Sequence, residues 1–132
     1  MDVHIGVAAR RSGLSIDAIR YYESLELIPA GRRDGGGRRI FSADDVLWLG
    51  FLRKMRETGM PIAELQEYVR CRRAGADGLQ GVLAVLNRHR QAIAQQQARL
   101  AECAQLVDVK IAKYQHLAVV GEPPGRPEVD LE

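Results

Sequence analysis

Apolar residues recur at helical spacing along almost the whole chain, in segments punctuated by glycine and proline, and one short stretch breaks the habit. Ile5, Val7, Ala8 and Ala9 precede Ser12-Gly13-Leu14-Ser15, which predicts a short helix stopped at the glycine and a following helix capped by a serine. That second helix is expected from about Ile16 to Leu25. Ile16, Ile19 and Tyr22 would be buried on one face, with Asp17, Arg20 and Tyr21 directed elsewhere. Together the two form a helix-turn unit in which Arg20 and Tyr21 are free to meet a partner.

The exception begins at Pro29. Gly35, Gly36 and Gly37 lie between the basic pairs Arg32-Arg33 and Arg38-Arg39, and Ile40-Phe41 follows, so this stretch is expected to form a hairpin with a basic tip. Ser42-Ala43-Asp44-Asp45 has capping-box spacing, and Val46, Leu47, Leu49, Phe51, Leu52 and Met55 supply the apolar face of a third helix reaching Thr58. Gly59 ends it. Pro61 suits the start of a fourth helix, in which Ile62, Leu65, Tyr68 and Val69 continue the helical spacing toward Arg73.

After the break Ala74-Gly75-Ala76-Asp77-Gly78, no glycine or proline interrupts the chain from Val82 to Val120, which predicts one long helix. Alternate steps of four and three from Leu79 trace Leu83, Leu86, Arg90, Ile93, Gln97, Leu100, Ala104, Val107, Ile111 and Tyr114. A stripe repeating every 3.5 residues is not buried by a lone helix and calls for a partner helix, most simply from a second copy. Leu79, Leu83, Leu86, Ile93, Leu100, Val107, Ile111 and Tyr114 are therefore the candidate dimerisation residues. Arg90 and Gln97 interrupt the stripe, as positions that set register or as positions facing water. The expected organisation is a helical N-terminal domain over 1–73, the long dimerisation helix over 74–118 and an acidic, proline-containing flexible tail over 119–132.

Charge sharpens this picture. The net charge of the 132 residues is only +2, yet Arg10, Arg11, Arg20, Arg32, Arg33, Arg38 and Arg39 face just Asp17, Glu23, Glu26 and Asp34 in the same early segment. The start of the chain has no basic and apolar leader, and no apolar run approaches the roughly 18 residues of a membrane span, so a cytoplasmic location with no membrane partner is expected. Cys71 and Cys103 lie far apart without a CxxC or Cys/His cluster, which points to reduced thiols and to no bound metal or cofactor. His4, His89 and His116 are scattered with no nucleophile or acid pair in a recognisable catalytic set, so catalysis is not expected.

Ile5-Gly6-Val7-Ala8, Gly13-Leu14-Ser15, Ile19-Arg20-Tyr21-Tyr22-Glu23 and Leu27-Ile28-Pro29 resemble the MerR family of bacterial regulators. The similarity continues through Gly37-Arg38-Arg39-Ile40-Phe41-Ser42 and Phe51 to Met60 into the long helix. The resemblance implies a mainly α protein with a winged helix-turn-helix and a long helix pairing as an antiparallel coiled coil. It also implies a homodimer on a near-palindromic operator in promoter DNA, which controls transcription by distorting the duplex and reaches RNA polymerase only through the shared promoter. By resemblance Ser15, Arg20 and Tyr21 fall on the recognition helix, Arg38 and Arg39 on the wing, and Arg53 and Arg56 add phosphate contacts, while Tyr22 reads as core. The chemistry agrees, because arginine bonds guanine bidentately and neutralises phosphate. The wing departs from the family pattern: Arg38 stands where an aromatic is common, and Phe41 where tyrosine is.

The signal is less legible. Metal-sensing relatives carry paired cysteines after the long helix, and residues 117–132 have none. Two distant cysteines also fall short of the roughly four ligands of an iron–sulfur cluster. The short aldehyde- or electrophile-responsive branch is the nearest resemblance, but the cysteine of that branch aligns with Lys54. Cys71, flanked by Arg70, Arg72 and Arg73, and Cys103, one step from the stripe, remain as candidate sensor thiols. Two other readings compete with a promoter switch: a coiled-coil interaction adaptor, and an architectural binder with little sequence preference.

Overall fold

The structure, a computed structural model, describes residues 1–29 and 31–125. It is mainly helical. Five helices, α1 (Ile5–Ser12), α2 (Ile16–Ser24), α3 (Ala43–Glu57), α4 (Ile62–Arg73) and α5 (Leu79–Val120), are joined by a two-stranded antiparallel hairpin and one short 3₁₀ turn, Gly75–Gly78. The hairpin strands β1 (Arg32–Arg33) and β2 (Arg39–Ile40) lie between α2 and α3.

Helix ends follow the local chemistry of the chain. Gly13, at φ 81, takes the left-handed conformation that closes α1 and donates its N–H to Ala9 O. The Ser15 hydroxyl accepts from Ala18 N at 3.0 Å to open α2. Both halves of the capping box at α3 are formed, Asp45 N to Ser42 Oγ at 3.1 Å and Ser42 N to Asp45 Oδ2 at 2.9 Å. Less expected is Glu26, a non-glycine at φ 60, which terminates α2 through a bond from Leu27 N to Tyr22 O. The Arg73 guanidinium donates to its carbonyl at 2.9 Å.

The core gathers Ala8, Ile19, Leu27, Phe41, Leu49, Leu52, Met60, Leu65 and Val85, which come from every helix and from the edge of the hairpin. Trp48, Phe51 and Tyr68 stack against one another at 5.3–5.7 Å between ring centroids, and the Trp48 indole donates to Leu27 O. Two residues expected in the apolar faces lie outside it: Ile16 is 37% exposed and Leu47 is 73% exposed. Only part of each apolar arc meets a neighbour, because short helices touch the core along a narrow line.

The chain divides into two compact units, Met1–His89 and a second beginning at Arg90. The first unit runs past the boundary expected at residue 73, because the start of α5 packs into it. Val85 is fully buried there, and His89 is buried with Nε2 2.7 Å from Thr58 Oγ1 at the end of α3. Arg88 pairs with Glu67 at 2.8 Å and lies 3.8 Å from Glu64, which ties α5 to α4 by charge as well. At the other end the helix reaches Val120, two residues beyond the expected 118, and residues 126–132 of the expected tail lie outside the described residues.

Candidate nucleic-acid interface

α1, the Gly13 turn and α2 form the helix-turn-helix. Ile19 and Tyr22 anchor α2 in the core, and the 3.6-residue period then places Arg20 and Tyr21 outside; Arg20 is exposed and Tyr21 is 54% exposed. Ser15 is exposed too, but its hydroxyl is already engaged in capping α2.

The wing is built around Asp34. Its Oδ1 accepts from the N–H groups of Gly36 and Arg38, both at 3.0 Å, and its Oδ2 receives the His4 imidazole at 2.7 Å. The His4 bond, followed by the Arg38 amide, holds the Asp34 carboxyl below its ordinary pKa, and partial desolvation opposes them. Gly37, at φ 81, completes the turn. At its base the hairpin is held by paired backbone bonds between Val3 and Phe41, at 2.7 and 2.9 Å.

Arg38 and Arg39, expected to act together, are separated by the structure. Arg38 points to solvent. Arg39 turns inward: its side chain is 11% exposed, its Nε lies 3.4 Å from Glu23 Oε2 on α2, and its guanidinium stands over the Phe41 ring at 4.1 Å. It also donates to the carbonyls of Ile40 and Pro29. Arg39 thus ties the wing to α2. Arg53 and Arg56 are likewise engaged in structure. Arg53 Nε donates to Ser12 O at the end of α1 and its Nη1 reaches Glu57, and Arg56 Nη1 donates to Met60 O. A guanidinium has five N–H donors, so these bonds leave further donors on each.

One groove collects His4, Ile5, Arg20, Glu23, Arg33, Gly37, Arg38 and Arg39, so α2 and the wing open on a common concavity. Glu23 is neutralised by Arg39. Among the described residues, Arg20, Arg33 and Arg38 have no carboxylate partner, which leaves the groove positive and suited to the phosphate-lined edge of a duplex. Residues 3–71 match the family model for the MerR HTH family regulatory protein, and residues 46–109 match that for MerR, DNA binding.

The chain belongs to the MerR family. It is a DNA-binding transcriptional regulator and not an enzyme. The Bacillus subtilis regulator YfmP is 33% identical over 84% of this chain and 81% of its own length. The crystal structure of HiNmlR, a MerR family regulator lacking the sensor domain and bound to promoter DNA, superposes with a TM-score of 0.85 at 28% identity, covering 92% of both chains. A MerR family transcriptional regulator from Listeria monocytogenes gives 0.82 at 33% identity over 90% of both. The chain spans about half the length of several other curated relatives it matches.

The remaining expected residues of this MerR-family regulator lie outside the groove. Along α5 the stripe is largely uncovered in the single chain: Leu79 is 57% exposed, Leu83 50%, Leu100 69%, Val107 55%, Ile111 49% and Tyr114 41%, while Leu86 and Ile93 are half-buried. Leu106 and Val109, which the 3.5-residue count passes over, are exposed as well. Cys103 is exposed. Cys71 is half-buried, with Sγ so close to Gly81 that a side chain there would collide with it. Two of the three arginines flanking Cys71 are engaged elsewhere, Arg72 over the Trp48 ring and Arg73 at Glu26 O. Among the described residues, no helix is long and apolar enough to cross a membrane and no group of three or more potential metal ligands assembles.

His4 and Asp34 were not singled out from the sequence. An aspartate ahead of a glycine run is itself a turn signal and could have marked Asp34. His4 carries no such signal, because its partner is 30 positions away.

Proposed function

We infer that this regulator works as a homodimer on a near-palindromic promoter operator, paired through the α5 stripe as an antiparallel coiled coil, and that it controls transcription by distorting the bound duplex. The observation that carries the reading is the exposed apolar stripe, at 41–69% exposure over six of its residues on one 42-residue helix. Apolar surface of that extent is stabilised by a second copy. A twofold dimer then presents two positive grooves, which fits inverted half-sites.

In this reading Arg20 and Tyr21 read base edges, Ser15 contacts DNA from the start of α2, and Arg38 meets the flanking backbone. Arg39 holds the wing in place, and the remaining donors of Arg53 and Arg56 add phosphate contacts. HiNmlR is bound to promoter DNA in its crystal structure, which supports promoter DNA as the partner. RNA polymerase is affected through the shape of the shared promoter rather than by direct contact. An electrophile or aldehyde is the candidate class of inducer, with Cys71 and Cys103 as the candidate sensor thiols.

Mobility shift with DNA upstream of the protein's own gene, competed by random duplex, tests the operator. A preference of at least about a thousandfold over random duplex is the expected result, and equal affinity for both would make the protein an architectural binder. No duplex binding at all would favour an adaptor. Promoter output with and without an aldehyde, in wild type, Cys71→Ser, Cys103→Ser and the double variant, tests the thiols; a response unchanged in the double variant removes them.

A further inference from the structure

His4 occupies the N-cap of α1 yet makes no side-chain bond to that helix. Ser15 and Ser42, at the equivalent positions of α2 and α3, both cap. The α1 cap forgoes a recognised stabilisation, and its imidazole instead crosses to the wing tip, 2.7 Å from Asp34 Oδ2. An ionised carboxylate only accepts, so Nε2 carries the hydrogen, and both the neutral tautomer and the imidazolium satisfy the bond.

Asp34 is the residue on which the tip depends. Its other oxygen accepts from Gly36 N and Arg38 N, its N–H donates to Arg38 O at 2.9 Å, and its carbonyl accepts from Gly37 N at 3.0 Å. The strands beneath pair over only two residues each, Arg32 with Ile40 and Arg33 with Arg39, and so short a ribbon is marginal by itself. Its base has anchors in the Val3–Phe41 bridge, the Arg39–Glu23 pair and the Asp2–Arg32 ion pair at 2.7 Å. At the tip, the side chain that reaches in from the helical body is His4.

We propose that the His4–Asp34 bond is a positioning clamp: it fixes the wing tip to the start of α1, so that Arg33 and Arg38 of the wing share the groove of Arg20 on the recognition helix. Loss of the clamp frees the wing tip, while the anchored base of the wing and the helix-turn-helix stay intact. The consequence for DNA rests on the operator reading above, whereas the clamp itself is measurable in the free protein.

The test uses the full chain as wild type, His4→Phe and His4→Gln. Amide hydrogen exchange is read at Gly36 and Arg38, with α1 amides as the internal control. Hydroxyl-radical footprinting is read on a duplex enriched from a random library. A charge-assisted bond between half-exposed groups predicts exchange about fivefold faster at both amides in His4→Phe, and affinity about fivefold weaker. Protection should disappear at the flanks of the footprint and persist at its centre. His4→Gln, whose amide can donate to the carboxylate, should restore both. Unchanged exchange and an unchanged footprint in His4→Phe overturn the clamp, as does a Gln variant that behaves like Phe. Should wild type bind no duplex, the operator reading falls and the exchange data alone decide the clamp.

Discussion

Leu100 is the sharpest place to probe the coiled-coil reading. It is 69% exposed in the single chain and belongs to the second unit. Leu100→Ala should therefore leave the folded DNA-binding unit unchanged, since it removes no contact there. In a dimer the same truncation acts twice. Three lost carbons at ~0.8 kcal/mol per buried methylene make roughly 2 kcal/mol per copy, and incomplete burial at a helix–helix seam brings the total to about 2–4 kcal/mol. At about 1.4 kcal/mol per tenfold, the dimer dissociation constant should rise roughly 30- to 700-fold. Sedimentation equilibrium measures it directly, with far-UV circular dichroism as the control for helix content. Leu106→Ala is the matched comparison: Leu106 is 53% exposed and lies next to the stripe residue Val107, about 100° around the helix. It should change the constant far less. A dissociation constant within about twofold of wild type for Leu100→Ala would refute the stripe, and equal losses for both variants would refute its register.

Other consequences are open to simpler measurements. Arg20→Ala should lower the preference for the enriched operator by about 1–3 kcal/mol while random-duplex binding changes little, whereas Arg38→Ala should weaken both and reduce the salt slope by about one; identical behaviour would contradict their separate roles. Val85→Ala, at a fully buried position, should cost about 2 kcal/mol in chemical denaturation, and Leu83→Ala, at a position half exposed, about 0.5 kcal/mol in the monomeric unit. Asp34 has its pKa depressed in the folded protein, so its contribution is present above the unfolded carboxylate value and is lost as pH falls through the lowered folded value. Exchange at the Gly36 and Arg38 amides should therefore follow only its intrinsic pH dependence near neutral pH, with the clamp closed, and accelerate beyond it only in acid. An Asp34→Asn variant showing the same acid transition would point to another group.

Much of this protein was determined by short stretches of sequence. Ser15, Ser42 with Asp45, Gly13 and Gly59 set where helices begin and end because capping and left-handed turns act over a few residues. The glycine run marked the wing, and the uninterrupted segment after Gly81 marked α5, whose 3.5-residue stripe is visible without any fold. Ile19-Arg20-Tyr21-Tyr22-Glu23 located α2, the second helix of the helix-turn-helix. Tertiary structure decided the rest. It left Ile16 and Leu47 outside although both fit an apolar period, because the neighbouring helices cover only part of each arc. It split Arg38 from Arg39, drew Arg53 and Arg56 to backbone carbonyls, and took Val85 and His89 of α5 into the first unit. It also joined His4 to Asp34 and His89 to Thr58 across 30 and 31 positions. Periodicity and capping report on residues a few steps apart, whereas the partner of a long polar side chain is set by whichever distant group the packed helices bring within about 3 Å.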